Sequence, residues 1–204
     1  LYNTDYMELM SNWAQTSEFN KSDYMIRVGE PLGQMYGYRL LGIYSVDDFT
    51  YDATNKKYII KEGIPYDKNN YPKPGYWKFE DTDNSGMITE EDRTIIGNAN
   101  PKLYGGLTNN FTWKGFDLSV FLNFSIGNKI YGANQMYYTK FNNRWRNTLK
   151  DKALDRFTVM NDKGEYIFDD PQQLAAVNKD RHYVSIDGSS NLSFHSGYVE
   201  DGSF

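Results

Sequence analysis

The stretch FDLSVFLNFSIG, Phe116 to Gly127, alternates apolar with other residues over about eleven positions. Phe116, Leu118, Val120, Leu122, Phe124 and Ile126 fall on one side of an extended chain. Asp117, Ser119, Phe121, Asn123, Ser125 and Gly127 fall on the other, because side chains of a strand alternate between its faces. Just before, LYGGLTNNFTW sets Leu103, Leu107, Phe111 and Trp113 in one phase against Tyr104, Thr108, Asn110 and Thr112. Lys114-Gly115 between the two runs reads as a two-residue hairpin turn, with Gly supplying positive φ. The pattern predicts a β-hairpin over 103–127 with two long arms. Strands of soluble sheets usually run about five or six residues, whereas strands crossing an outer membrane need about nine to eleven. Trp113 and Phe116 flank the turn, where barrels carry an interfacial aromatic girdle. Two readings stay open: a transmembrane hairpin with the 116–126 row facing lipid, and a hairpin covering a soluble β-core. Length favours the first.

Composition excludes more than it assigns. Among 204 residues, 18 Tyr and 12 Phe favour strands over helices. A net charge of −5 without a Lys/Arg cluster excludes a nucleic-acid footprint. The lack of Cys excludes disulfides, thiolate zinc sites and cysteine nucleophiles. No apolar run is long enough for a transmembrane helix, which leaves membrane strands open. The chain opens on Leu1 and closes on YVEDGSF, which reads as the first residues of a strand in a longer protein.

Along the chain, DYMELMSNWA is expected as a short helical turn, and RVGEPLGQMYGYRLLGIYS as extended chain interrupted by glycines. KKYIIKEG reads as a short strand, 64–76 as a Pro/Gly loop, and Thr148–Phe157 as a short amphipathic helix. Barrels of the outer membrane have short periplasmic turns and long outer loops. On the membrane reading Lys114-Gly115 is periplasmic. Residues 1–102 and 128–197 are mostly extracellular loop, 103–127 the transmembrane hairpin, and 198–204 the start of the next strand.

FEDTDNSGMITEED contains a calcium-type loop over 81–92. Asp81, Asp83 and Ser85 stand at positions one, three and five, Gly86 at six, Met87 at seven and Asp92 at twelve. Side-chain oxygens at one, three and five converge on a hard cation, and position seven offers its backbone carbonyl. Ser85 replaces the usual Asp or Asn, and Asp92 the usual bidentate Glu. Thr89 followed three residues later by Asp92 is also a capping box. Asp92 therefore has two readings, as a Ca²⁺ ligand and as a helix cap, and a bound ion would be structural.

Three phrases carry a family resemblance: VGEPLGQMYGYRLLGIY, FEDTDNSGMITEEDRTIIGNANPKLYGGLTNNFTWKGFDLSVFLNFSIGNKIYG and GYVEDGSF. In this order they resemble the SusC/RagA-type TonB-dependent transporters of the Bacteroidota outer membrane, over roughly half of the chain. The resemblance implies an all-β fold, an antiparallel barrel of about 22 strands with a plugged lumen. It further implies a periplasmic TonB partner, reached through parts absent here, and a SusD-like surface lipoprotein. The cargo would be oligosaccharides or peptides, with no catalysis. The family's usual loop has an acidic or amide residue where Ser85 stands. A different class also fits the residues, a secreted soluble calcium-stabilised β-module that binds carbohydrate.

Other chemistry is sparse. His182 and His195 are the two histidines, too few for a zinc site or a triad, and read as exposed loop residues. Asp47-Asp48 and Glu90-Glu91 read as solvated surface rather than paired glycosidase carboxylates. Sequons at Asn20, Asn110, Asn123 and Asn191 read as chance. Tyr36, Tyr38, Tyr44, Trp77, Tyr137, Tyr138 and Trp145 are candidates to stack on sugar rings or dock a partner, against the reading that they pack loops together.

Overall fold

The computed structural model describes residues 5–10, 22–138, 147–188 and 194–204. Strands dominate, in antiparallel sheets that stay open in this chain, and the helices are short. Among the described residues no helix is long and apolar enough to cross a membrane, a fact without bearing on membrane strands. The chain divides into two units. One takes in residues 1–36, 95–132 and 196–204, and the other 37–94 and 133–195.

The first unit holds the long hairpin. In chain order its strands are β1 (Tyr6–Leu9), β2 (Tyr24–Arg27) and β3 (Gln34–Gly37). After the strands of the second unit, β4 (Leu40–Ile43), β5 (Phe49–Asp52), β6 (Lys57–Ile60) and β7 (Trp77–Phe79), comes β8 (Thr94–Asn98). Then follow β9 (Leu103–Trp113), β10 (Phe116–Ile126), β11 (Lys129–Tyr131) and β12 (Val199–Asp201). One sheet has the order β1-β2-β3-β8. β9 and β10 pair from Trp113↔Phe116 to Leu103↔Ile126 without a slip in register. Beyond the hairpin, β11 pairs with β12. Phe204 exchanges both backbone hydrogen bonds with Ser125, each 2.9 Å, so the last residues lie along the free edge of β10.

The helical turn expected in DYMELMSNWA is corrected here: Tyr6–Leu9 is a strand, and residues 11–14 lie outside the described residues. A single isolated turn of helix closes too few hydrogen bonds to offset its ordering cost. As a strand the segment pairs residue for residue with Tyr24–Arg27.

The second unit is built around aromatic side chains. Tyr44, Val46, Phe49, Tyr58, Phe157, Ile167 and Leu174 form its main core, and Trp77, Tyr183 and Val184 a smaller one. β5 and β6 make a hairpin whose turn is fixed by Asp52, which accepts from the Thr54 and Asn55 amides at 2.9 and 3.2 Å. β4 and β7 pair across a register shift between Leu40 and Gly42. The helices are α1 (Ala133–Tyr138), α2 (Lys150–Asp155), within the expected 148–157 segment, and α3 (Pro171–Val177). Asp170 caps α3 by accepting from Gln172 and Gln173 amides, and Pro171 takes the first helical position, where no backbone donor is needed.

Candidate functional sites: a two-faced hairpin and an acidic loop

Directly opposed residues of an antiparallel pair share a face. The register therefore sets Trp113, Phe111, Leu107 and Leu103 beside Phe116, Leu118, Leu122 and Ile126. Val120 and Phe124 complete that face opposite Asn109 and Gly105, and the Phe124 ring lies over Gly105, where a Cβ would meet it at 2.8 Å. The other face carries Thr112, Asn110, Thr108, Asp117, Ser119 and Asn123, with Tyr104 and Phe121 as its aromatics. There Ser119 donates to Asn110 at 2.6 Å. All six residues of the 116–126 row are exposed, from 36 % for Val120 to 75 % for Phe116. Lys114 and Gly115 take φ of 46° and 87°, both positive, as a type I′ turn requires. The Lys114 ammonium sits 5.0 Å from the Trp113 ring centre at this tip.

The acidic loop belongs to the second unit. Asp81, Asp83 and Asp92 each bring one carboxylate oxygen within 4.8 Å of the others. Oxygens around one Ca²⁺ stand no more than about 5 Å apart, twice the usual bond length, so the donor set fits that ion. Ser85 and the Met87 carbonyl lie together, the hydroxyl donating to that oxygen at 3.0 Å. Asp81 accepts from the Ser85 and Gly86 amides at 3.1 and 2.8 Å. Asp83 accepts from the Ser85 amide at 2.9 Å, which holds its carboxyl below the usual range.

Asp92 is fully buried. One of its oxygens accepts from the Thr82 amide and the other from the Thr89 amide, each at 2.7 Å. Thr89 in turn accepts from the Glu91 amide at 3.1 Å. The capping box is thus formed, and the same carboxylate ties the start of the loop to its end. The oxygen bound to the Thr82 amide also accepts from the Thr82 hydroxyl at 3.5 Å, whereas the one bound to the Thr89 amide keeps a second lone pair for a cation. Ile88 is buried and its amide donates to the Tyr66 carbonyl at 3.0 Å, anchoring the loop.

Four of the aromatic candidates take the packing alternative. Tyr36, Tyr38, Tyr44 and Trp77 are interior, none more than 9 % exposed, so their rings are packed inside the protein instead of facing a ligand. Tyr38 stacks on Phe79 at 5.1 Å, Trp77 meets Tyr183 edge-on at 5.0 Å, and the Tyr44 hydroxyl donates to the Pro65 carbonyl at 2.7 Å. Burial pushes the Tyr38 phenol up to about 12. Tyr137 and Tyr138 lie in α1, Tyr138 exposed. Trp145 lies outside the described residues, as do Asn20 and Asn191. Asn110 and Asn123 sit in β9 and β10.

His182 is exposed, its Nδ1 3.2 Å from an Asp155 oxygen. His195 corrects the expectation of an exposed loop residue. It is buried against Trp77 and Phe79, with ring centres 5.1 and 5.7 Å away, and burial pushes its pKa down to about 3. Asp48 is no free surface acid either: it accepts from the Ser45 amide at 2.8 Å and pairs with Lys78 at 2.9 Å.

No family model matches the chain. Two curated proteins of Formosa agariphila are similar to it. TonB-dependent receptor P39 is 32% identical over 140 residues, covering 58% of this chain and 14% of the receptor. TonB-dependent receptor P3 is 31% identical over 106 residues, covering 52% of this chain and 9% of the receptor. The chain thus spans a small part of the length of the relatives it matches. These likenesses support the TonB-dependent receptor family for this chain.

Proposed function

We propose that this chain is a segment of a TonB-dependent importer of the SusC/RagA type, set in the outer membrane of a Bacteroidota-type cell. The observation that carries the reading is the hairpin: two eleven-residue arms in register, with Asn109 the one polar side chain on the face that carries the Phe116–Ile126 row. That face suits hydrocarbon and the polar face a hydrated lumen. The names of the two similar proteins point the same way. In this reading β9 and β10 cross the membrane and Lys114-Gly115 lies on the periplasmic side. The second unit belongs to the extracellular loops, which meet a SusD-like lipoprotein. Energy comes through TonB, and the cargo is an oligosaccharide or a peptide.

The test is made in the full-length protein. Val120→Arg or Leu122→Arg puts a charge toward lipid, at a cost of about 2–4 kcal/mol near the midplane, and should impair outer-membrane assembly. Ser119→Arg, on the polar face, should assemble nearly as well as the parent. Equal defects on both faces would defeat the assignment.

In the same proposal Asp81, Asp83, Ser85, the Met87 carbonyl and Asp92 hold a Ca²⁺ ion that staples the loop. The ion supplies only charge and rigidity there. Calorimetric titration with Ca²⁺ should give heat that disappears in an Asp81→Ala, Asp83→Ala double variant. A parent that gives no heat leaves Asp92 as a cap and tie alone.

A further inference from the structure

With four of the sequence-chosen aromatics buried, another set faces solvent in the second unit. A groove of about 360 Å³ is lined by residues 156–160, 166 and 168 on one side and by 73, 74, 76 and 185–187 on the other. Tyr166, Met160 and Ile186 line it and are 63, 51 and 47 % exposed. Exposed apolar side chains gathered in one concavity mark a contact surface more often than chance exposure does. Tyr166 and Phe168 stand two residues apart on one arm of the turn, their ring centres 6.2 Å apart. Tyr76 joins them from the groove's other side.

Both walls are fixed by backbone bonds. The Ile167 amide donates to the Val159 carbonyl at 2.9 Å and the Asn161 amide to the Glu165 carbonyl at 3.1 Å. The Asn161 side chain closes the turn by accepting from the Lys163 and Glu165 amides, each at 3.0 Å. On the opposite wall the Ser185 amide donates to the Gly75 carbonyl at 2.8 Å. A groove held this way is formed before a ligand arrives.

The rim chemistry narrows the ligand. Lys73 and Asp187 face each other across 3.9 Å, and Arg156 is already engaged within the protein. A rim that carries both signs, already paired, selects neither a cation nor an anion. It suits groups that both donate and accept, which hydroxyls do. A sugar ring combines those hydroxyls with a flat C–H face that packs on aromatic rings.

We propose that this groove is a saccharide subsite. Tyr166 and Phe168 carry the apolar face of a pyranose ring, and the Tyr76 phenol with the Lys73–Asp187 rim binds its hydroxyls. The proposal rests on the importer reading and names where on this chain the cargo is held. The experiment is calorimetry on the full-length protein purified from outer membranes. Its probes are maltohexaose, xylohexaose and cellohexaose, with a Gly-Leu hexapeptide beside them. One hexasaccharide should bind, about tenfold more weakly in Tyr166→Ala and less so in Tyr166→Phe. Ile59→Ala, an exposed site outside the groove, should leave the affinity unchanged. Saccharide binding that ignores both Tyr166→Ala and Ile186→Arg overturns the subsite and leaves the importer reading standing. A parent that binds none of the hexasaccharides, or binds the hexapeptide in a Tyr166-dependent way, overturns the saccharide assignment. Failure of the parent to reach the outer membrane, read on the same cells, would instead sink the importer reading.

Discussion

At the scale of single residues, packing in the second unit leaves little freedom at Gly75. Its φ is 85°, and a Cβ there would stand 2.5 Å from Cγ and 2.9 Å from Cβ of Phe157. Those are the root atoms of the side chain, which cannot swing aside as a ring tip can. Gly75→Ala therefore combines a left-handed backbone penalty of about 1 kcal/mol with overpacking of about 1–3 kcal/mol. Gly63, at φ 80° with open space around it, should lose only the first part as Gly63→Ala. Protease nicking of the outer loops in full-length protein measures the difference, and equal sensitivity of the two variants would show that Phe157 yields. The sequence marks Gly75 as part of a Pro/Gly loop but holds no sign of the ring above it. The same gap explains the tyrosines. Whether Tyr38 or Tyr166 faces solvent depends on partners far along the chain, Phe79 for the first and the 185–187 segment for the second. The cap at Asp92 was legible, because its partner Thr89 stands three residues before it.

At the scale of elements, the long hairpin was readable to the residue because everything that specifies it is local. Eleven alternating positions, a two-residue turn and a matching eleven leave one register. β1 and β2 were unreadable for the opposite reason. Four residues are too few to display a period, and the partner of Tyr6 is Arg27. The turn offers a sharp test of the hairpin. Lys114 bears positive φ without being Gly, Asn or Asp, and Gly115 has open space for a side chain. Any loss on substitution at Gly115 is backbone strain alone. Gly115→Val should cost about 1–2 kcal/mol, whereas Lys114→Asn should be neutral or stabilising by a few tenths. Urea midpoints of the refolded full-length barrel in lipid report both. A Gly115→Val midpoint equal to the parent's would rule out a type I′ turn.

At the scale of the whole molecule, the aromatic interior ties stability to pH from both sides. His195 is buried and its pKa is pushed down to about 3 by that burial, while an unfolded imidazole titrates near 6.5. Between those values the open chain binds a proton that the closed one refuses. Stability is complete above about pH 6.5 and falls as pH drops, by about 1.4 kcal/mol per unit. Tyr38 and Tyr58 work in the other direction, since burial pushes each phenol up to about 12. Their contribution is present below about pH 10 and lost as pH rises beyond it. The acid arm is the easier to isolate, because the Tyr38 amide donates to the Phe194 carbonyl at 2.7 Å, next to His195. Amide exchange at Tyr38 in full-length protein, corrected for the chemical rate, should show a falling opening energy from pH 6.5 to 4.5. His195→Phe keeps an aromatic ring against Trp77 and removes the titrating group, so its profile should be flat over that range. A parent profile as flat as the variant's would mean that the imidazole is charged, or solvated, in the folded protein, and that the cage of Trp77 and Phe79 does not exclude water from it.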